Sequence, residues 1–338
     1  MVRGSYLRLN AEERSYVAIL KKEIHNLAKA AGFGTSRLAE VDIIVAELAS
    51  NLIKHAEKGE VLAGLIEHKN NLAIEVVAID HGPGIADTKR MMGDGISTTS
   101  TLGHGLGSLS RLSDDFQIYS QPQWGTIAIA RKYLSSAPKG AKPRFELNAV
   151  VVPKPHEEVS GDAVFHIETK TELRILVADG LGHGEDAHAA VQEAIKLFSE
   201  HTTEGPVEML QLLHTGIRKT RGAVINVLVY NFENKEWKIC GIGNLSARFI
   251  GVQKYRNYVA YNGIVGHNIP SSLKEYVFLG SEFQQVIICS DGIKSRWENA
   301  KYPHMHKFDG RVLAAAIYRD YTRRTDDSTV LICKILKV

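Results

Sequence analysis

Apolar residues Leu38, Val41, Ile44, Val45, Leu48 and Leu52 recur with a helical period and predict an amphipathic helix over about 36–56. Thr35 or Ser36 is placed to cap it after Gly34. Glu47 and Asn51, four positions apart, then stack on one face of that helix. The apolar runs 61–67 and 72–79 predict strands, the second ending at Asp80. From Gly82 to Gly103 the chain is rich in Gly, Ser and Thr and has the length and composition of a mobile lid. Gly103 to Gly107 leads into a further helix, whose free N–H groups suit an anion. The run Gly125 to Lys132 closes this half as a strand.

Residues 135–143 collect Ser, Ala, Pro, Lys and Gly without periodicity, as a linker does, and a new β pattern begins at Phe145. The expected organisation is therefore one domain over 1–134, a linker over 135–143 and a second domain over 144–338. No internal repeat relates the halves.

Composition narrows the field. The 338 residues suffice for about two domains. A net charge of only +3, mixed along both halves, lacks the basic excess of a nucleic-acid binder. No apolar run approaches the ~20 residues of a membrane span, and Met1 to Asn10 has no apolar signal core. Cys240, Cys289 and Cys333 lie in strand-like apolar runs and read as buried thiols. A cytoplasmic protein is expected, with neither nucleic acid nor membrane among its partners.

The chemistry-bearing positions form two unrelated sets. In the first half, Glu47 and Asn51 precede Asp80-x-Gly82-x-Gly84 and Gly103-x-Gly105-x-Gly107. In the second, four acidic positions mark turns or strand ends: Ser160-Gly161-Asp162, Asp179-Gly180 after the apolar run from Leu173, Asp291-Gly292 after the run from Gln285, and Asp326-Asp327 before the last strand. A single Asp-Gly at a strand end is ordinarily a turn. Four carboxylates in this order can converge across a sandwich and hold hard divalent cations through oxygen.

The first set resembles the asparagine box and the two glycine boxes of the GHKL ATPase and kinase superfamily, and within it the RsbT-type serine kinases and related anti-sigma-factor kinases. Gly32-Phe33-Gly34, Asp94-Gly95-Ile96-Ser97-Thr98 and the Gly125-Thr126 strand fit that subgroup. The resemblance covers about residues 10–134. It implies an ATP site with Mg²⁺, in which Asn51 binds the metal and Glu47 is the general base toward a serine hydroxyl. It implies that Asp80 accepts from the adenine amino group with Thr126 in support, that Gly82 and Gly84 admit the nucleotide, and that Gly103, Gly105 and Gly107 wrap the triphosphate. Phosphoryl transfer needs such positioning and charge neutralisation more than covalent chemistry. His25 has no phosphoacceptor box around it and reads as an exposed helix residue.

The second set resembles the PPM metal-dependent Ser/Thr phosphatases in their SpoIIE/RsbX branch, over about residues 144–338. It implies that Asp162, Asp179, Asp291, Asp326 and the Gly180 carbonyl bind two Mn²⁺ or Mg²⁺ ions. Asp327 stands where many members carry Asn. Gly241 to Leu245 reads as a structural turn, His183 belongs to a glycine loop common to the branch, and Lys154 or Arg144 is placed to grip phosphate.

The fold expected from both resemblances is α/β (α+β): a GHKL α/β sandwich of helices on one mixed sheet, followed by an αββα sandwich with metals between its sheets. The expected function is a bifunctional partner-switching regulator in bacterial stress or sigma-factor signalling. It would phosphorylate and dephosphorylate Ser or Thr of a STAS-domain partner, with a sigma factor or a downstream phosphatase as further partners. The alternative is an ATP-binding, partner-sequestering module with little kinase activity that regulates the fused phosphatase.

Overall fold

The computed structural model describes residues 4–10, 14–56, 59–68, 71–91, 105–135 and 143–336. The middle of the expected lid with Asp94–Thr98, Gly103, and linker residues 136–142 lie outside them.

The predicted amphipathic helix is α2 (Thr35–His55), which buries the six apolar positions and Ala49. Gly34 is its N-cap residue and no side chain caps it, so neither Thr35 nor Ser36 plays that part. Together with α1 (Arg14–Ala30) and α4 (Gly105–Leu112), α2 covers one face of a five-stranded sheet. The order is β1 (Leu7–Asn10), β2 (Gly59–His68), β3 (Asn71–Asp80), β5 (Gly125–Tyr133) and β4 (Asp115–Gln121). A short helix, α3 (Thr88–Met91), lies between β3 and α4. Every pairing in this sheet is antiparallel, which corrects the expected mixed sheet. After β3 come α3 and α4, then the edge strand β4, and the chain returns as β5 between β3 and β4.

Beyond the linker, β6 (Phe145–Val152), β7 (Asp162–Glu168), β8 (Glu172–Gly180), α5 (Glu185–Glu200), α6 (Pro206–Gly216), β9 (Ala223–Asn231), β10 (Glu236–Ile242), β11 (Ser246–Ile250), β12 (Tyr255–Tyr258), β13 (Tyr276–Leu279), β14 (Gln285–Cys289), α7 (Gly310–Tyr321) and β15 (Ser328–Ile335) follow. They form two five-stranded antiparallel sheets, ordered β13-β10-β9-β8-β7 and β12-β11-β14-β15-β6. The sheets pack face to face over Trp237, Phe249, Leu228 and Ile288, and α5 and α6 cover the outside of the first. All three cysteines are buried thiols. Among the described residues, no helix is long and apolar enough to cross a membrane.

One helix unites the halves. α7 lies on the outside of the second sheet of the sandwich, and its opposite face packs against β3 and β5. All of Arg311 to Arg319 is buried. A helix that is apolar all round is a buried one, and here two sheets bury it. The layers thus run helices, sheet, α7, sheet, sheet, helices.

Charges are trapped in this central layer. Glu75 of β3 is fully buried, as are Arg131 of β5 and Arg311 of α7. The Arg131 Nε donates to Glu75, the Tyr6 hydroxyl donates to it, and the Arg311 Nε stands 3.2 Å from it. A second arm of Arg131 reaches Asp309, the residue capping α7, at 2.6 Å. Burial alone would push the Glu75 carboxyl up, but Arg311, Arg131 and the Tyr6 hydroxyl outweigh it and hold the group below its ordinary value.

Replacing Glu75 by Gln leaves the buried Arg311 guanidinium without its counter-charge and Arg131 with only Asp309 and Asp115, and should lower unfolding free energy by about 3–5 kcal/mol. Because the folded-state carboxyl titrates below the unfolded one, the wild-type advantage is complete above the ordinary value of 4.5 and fades as pH falls through the depressed folded-state value. Urea unfolding of both proteins between pH 7 and pH 3 measures this; a gap that widens on acidification would contradict it.

Candidate functional site

On the helical face of the first sheet, α2 carries Glu47 and Asn51 half-buried and one turn apart. α4 begins against them. A Cβ at Gly105 would stand 3.4 Å from the Glu47 Oε2 and 3.5 Å from the Asn51 Oδ1. Two motifs some fifty residues apart in sequence therefore meet in one cradle. Gly107 is buried one half-turn further along α4.

Asp80 ends β3 with one oxygen committed to backbone. Its Oδ1 accepts from the N–H of Gly82 at 2.8 Å and of Thr126 at 3.0 Å. Burial raises the carboxyl above its ordinary value, although these two N–H groups and Arg319 oppose the shift. Thr126 enters a network missed in the sequence. The Ser120 hydroxyl donates to the Gly125 carbonyl at 2.8 Å and accepts from the Ile85 N–H at 2.8 Å. With its only proton spent, Ser120 must accept the Thr126 hydroxyl at 2.9 Å.

The glycines of this loop answer to protein packing. A Cβ at Gly82 would meet the His55 carbonyl at 2.4 Å, and one at Gly84, which has φ +74, would meet the Gln121 carbonyl at 1.9 Å. Both residues thus let the loop wedge between the end of α2 and the β4–β5 turn.

The acidic positions of the second half gather at one end of the two-sheet sandwich. β7–β8 pairing sets Asp162 opposite Asp179. Asp291 follows β14 and Asp326 precedes its partner β15. Ser290 ties the sheets by donating to the Asp162 Oδ2 at 2.7 Å, while the Thr329 N–H donates to Ser290 at 2.9 Å. The Asp162 Oδ1 is buried with no partner, an orphaned acceptor of the kind that a cation satisfies. Burial, with the charges of Asp327 and Asp291 and against the Ser290 hydroxyl, pushes the Asp162 carboxyl up to about 7. Burial and the charges of Asp162, Asp291, Asp326 and Asp327 raise Asp179 well above the ordinary range. Such mutual repulsion among carboxylates fits a site for hard cations. Among the described residues no three acidic, imidazole or thiol groups close on a single point.

Asp327 does something else. Its two oxygens accept the backbone N–H groups of Lys154 at 2.7 Å and Gly161 at 2.8 Å, stapling the segments after β6 and before β7 to the acidic end. A carboxylate serves two such donors, whereas an amide offers one oxygen. Gly180 reaches the same end through its N–H, which bonds the Gly161 carbonyl at 2.9 Å.

Other expectations are corrected. Arg144 sits at the far end of β6, bound to Glu168 and to the Thr169 and Lys170 carbonyls, and cannot grip phosphate here. The 241–245 turn is more than structural, because the Asn244 amide donates to Asp291 at 3.0 Å. His183 is held by Glu157 at 2.6 Å, and His25 is half-buried against Asp42 rather than exposed. Arg221, unmarked in the sequence, stands beside Gly182 and pairs with Asp186 at 2.5 Å.

An antiparallel sheet backed by helices, with Glu47 and Asn51 meeting the start of α4 and Asp80 closing β3, is the frame of a kinase-like ATPase domain. The family model of the histidine kinase-like ATPase domain matches residues 9–132. Over 109 residues, 82% of that protein and 32% of this chain, the sequence is 38% identical to serine/threonine-protein kinase RsbT of Bacillus subtilis (strain 168). The chain belongs to this family. Its second half is 30% identical over 97 residues to phosphoserine phosphatase RsbX of the same organism, a match that spans 48% of RsbX and 29% of this chain. The fold of RsbX solved with magnesium covers 58% of this chain and 98% of that one, with a TM-score of 0.51 at 20% identity. A structure from work on the bacterial stressosome, as a modular system adapted to control secondary messenger signalling, covers 57% of this chain and all of its own, with a TM-score of 0.53 at 26% identity. A kinase-like ATPase domain and a domain with the fold of RsbX are thus joined in one polypeptide.

Gly84→Ala puts a methyl group onto a backbone carbonyl at a left-handed position, and should both lower the melting temperature and abolish ATP binding. Calorimetric titration with ATP, alongside a melting curve, checks this; wild-type affinity in the variant would show that the loop has room to give.

Proposed function

We propose that this protein sets the phosphorylation state of a Ser or Thr on a STAS-domain partner, adding phosphate with residues 1–134 and removing it with residues 144–338. The segment 135–143 joins the two as a linker. The observation that carries this reading is the pair of convergences described above: Glu47, Asn51 and Gly105 on one side, five aspartates on the other, each built from distant motifs. A relative of RsbT joined to a relative of RsbX supports it.

In the kinase half, Asn51 would hold the Mg²⁺ that accompanies ATP, and Gly103, Gly105 and Gly107 would follow the phosphates. The second oxygen of Asp80 is left to accept from the adenine amino group, since Gly82 and Thr126 occupy the first. Glu47, one turn before Asn51 on α2, would take the proton of the attacking hydroxyl.

In the phosphatase half, Asp162, Asp179, Asp291, Asp326 and the Gly180 carbonyl would hold two Mn²⁺ or Mg²⁺ ions. When bound, such ions deprotonate a water and neutralise phosphate charge. Ser290 and Asn244 orient Asp162 and Asp291, and Asp327 holds the surrounding backbone. Running both activities on one residue only consumes ATP, so one must be held down while the other works.

Glu47→Gln keeps the side-chain shape and should retain nucleotide affinity while losing transfer to a STAS-domain substrate. Transfer at the wild-type rate, followed with labelled ATP, would remove Glu47 from the general-base role.

Hydrolysis of a phosphoserine partner or of p-nitrophenyl phosphate should vanish in chelator. It should fall by ~10²-fold or more in Asp179→Asn, with ATP binding retained. Turnover that persists in chelator would refute the metal-dependent assignment.

A further inference from the structure

The nucleotide cradle is finished by a residue of the other half. Arg319, on the last turn of α7, is 8% exposed. Its Nε donates to the backbone carbonyl of Asp80 at 2.8 Å, a second arm donates to the Trp124 carbonyl, and the third pairs with Asp320. The guanidinium also stacks over the Trp124 ring, 4.1 Å from its centroid. Asp80 and Trp124 are the two backbone positions that flank the Asp80 carboxylate and the Thr126 N–H it accepts. Between them Gly125 has φ +119, and a Cβ there would lie 2.4 Å from the Asp80 carbonyl and 3.0 Å from the Arg319 Nη2. With this φ and the Asp80 carbonyl and carboxylate so near, only glycine fits beside the arginine.

The same helix runs directly into the acidic end of the phosphatase half. Immediately after Arg319, the Tyr321 carbonyl accepts from the Lys294 N–H at 2.8 Å and the Arg323 N–H donates to the Gly292 carbonyl at 2.8 Å. These bonds hold the segment leading to Asp326 against the one carrying Asp291. Arg324 then reaches back to Glu60 of β2 at 3.0 Å. Glu60 pairs with Ile79, next to Asp80, so the return contact lands at the same end of the β2–β3 pair. Six residues lie between Arg319 and Asp326, with ties to both centres along the way.

We propose that Arg319 is a positioning residue of the nucleotide site supplied by the phosphatase half, and that α7 with residues 322–327 couples nucleotide binding to phosphate-ester hydrolysis. The proposal rests on the reading that Asp80 receives the adenine. Arg319 grips the carbonyls on either side of the Asp80–Thr126 pair, so it fixes the distance at which that pair meets the base. Nucleotide binding in turn fixes the last turn of α7 and steadies the loop that presents Asp326. Coupling between two binding sites is a single free energy, so ester or metal bound at the acidic end should strengthen nucleotide binding by the same factor, while the hydrolytic rate carries no such symmetry. The contact lies at the base end of the site rather than the phosphate end. ADP and a non-hydrolysable ATP analogue should therefore act alike, and the phosphatase would respond to occupancy, not to the γ-phosphate.

The full chain is titrated with ADP and with the analogue by calorimetry, and p-nitrophenyl phosphate hydrolysis is followed with and without each, at constant free Mn²⁺. In the wild type, either nucleotide should raise kcat/KM for the ester by about fivefold or more, the lower end of ordinary coupling. Arg319→Gln should weaken binding of both nucleotides about tenfold, with Arg319→Lys intermediate, and the nucleotide effect on hydrolysis should shrink to within twofold. Arg324→Gln alters a side chain 40% exposed and keeps the protein folded; it should reduce the nucleotide effect while ADP affinity stays within about twofold. Unchanged ADP affinity in folded Arg319→Gln, hydrolysis indifferent to nucleotide in the wild type, or opposite responses to ADP and the analogue would each overturn the proposal alone. A wild-type chain that binds neither nucleotide would overturn the adenine assignment and this proposal with it.

Discussion

The architecture turns on one carboxylate. Glu75 sits at full burial between a guanidinium from its own sheet and one from a helix that the sequence assigns to the other half of the protein. Neither arginine could be left in this layer alone, since the desolvation of an unpaired buried charge exceeds what packing returns. The cluster therefore acts less as a source of stability than as a condition on docking: α7 can lie on the kinase sheet only in the register that brings Arg311 to Glu75 and Asp309 to Arg131. Tyr6 extends the condition to the N-terminal segment, whose backbone also bonds to Val151 of β6. Once that register is set, Arg319 and Arg324 reach their partners without further adjustment.

Much of each half was legible in the sequence, because the signals were local. The period of α2 and the apolar runs ending in Asp80 and Asp179 report short-range constraints, and the structure reproduces them within a residue or two. The acidic end of the sandwich was legible for the same reason, since strand ends announce themselves. What escaped is non-local. Ser120, Ser290 and Asn244 look like ordinary polar residues until the fold brings a carboxylate or a threonine beside them.

The shared layer also escaped, although the sequence carried its signals. Val312 to Tyr318 is apolar without a polar face, which marks a helix buried on both sides. Glu75 and Arg131 are charges in the middle of apolar strands, where a charge without a partner is excluded. Read together, these features demand a partner for each charge and a second sheet for the helix. Arg144 shows the reverse error: a cation early in the phosphatase half suggested phosphate binding, but strand direction carries it to the end remote from the acids.

A helix with two owners constrains descent as well as structure. By chain order α7 belongs to the phosphatase, yet one of its faces is read by the kinase sheet. A gene that exchanged its first half for a related one at the linker would inherit a helix fitted to another sheet, with Arg311, Arg319 and Arg324 facing strangers. Substitutions at Glu60, Glu75 and Trp124 must therefore be matched some two hundred residues away, and the two halves have to drift as a pair.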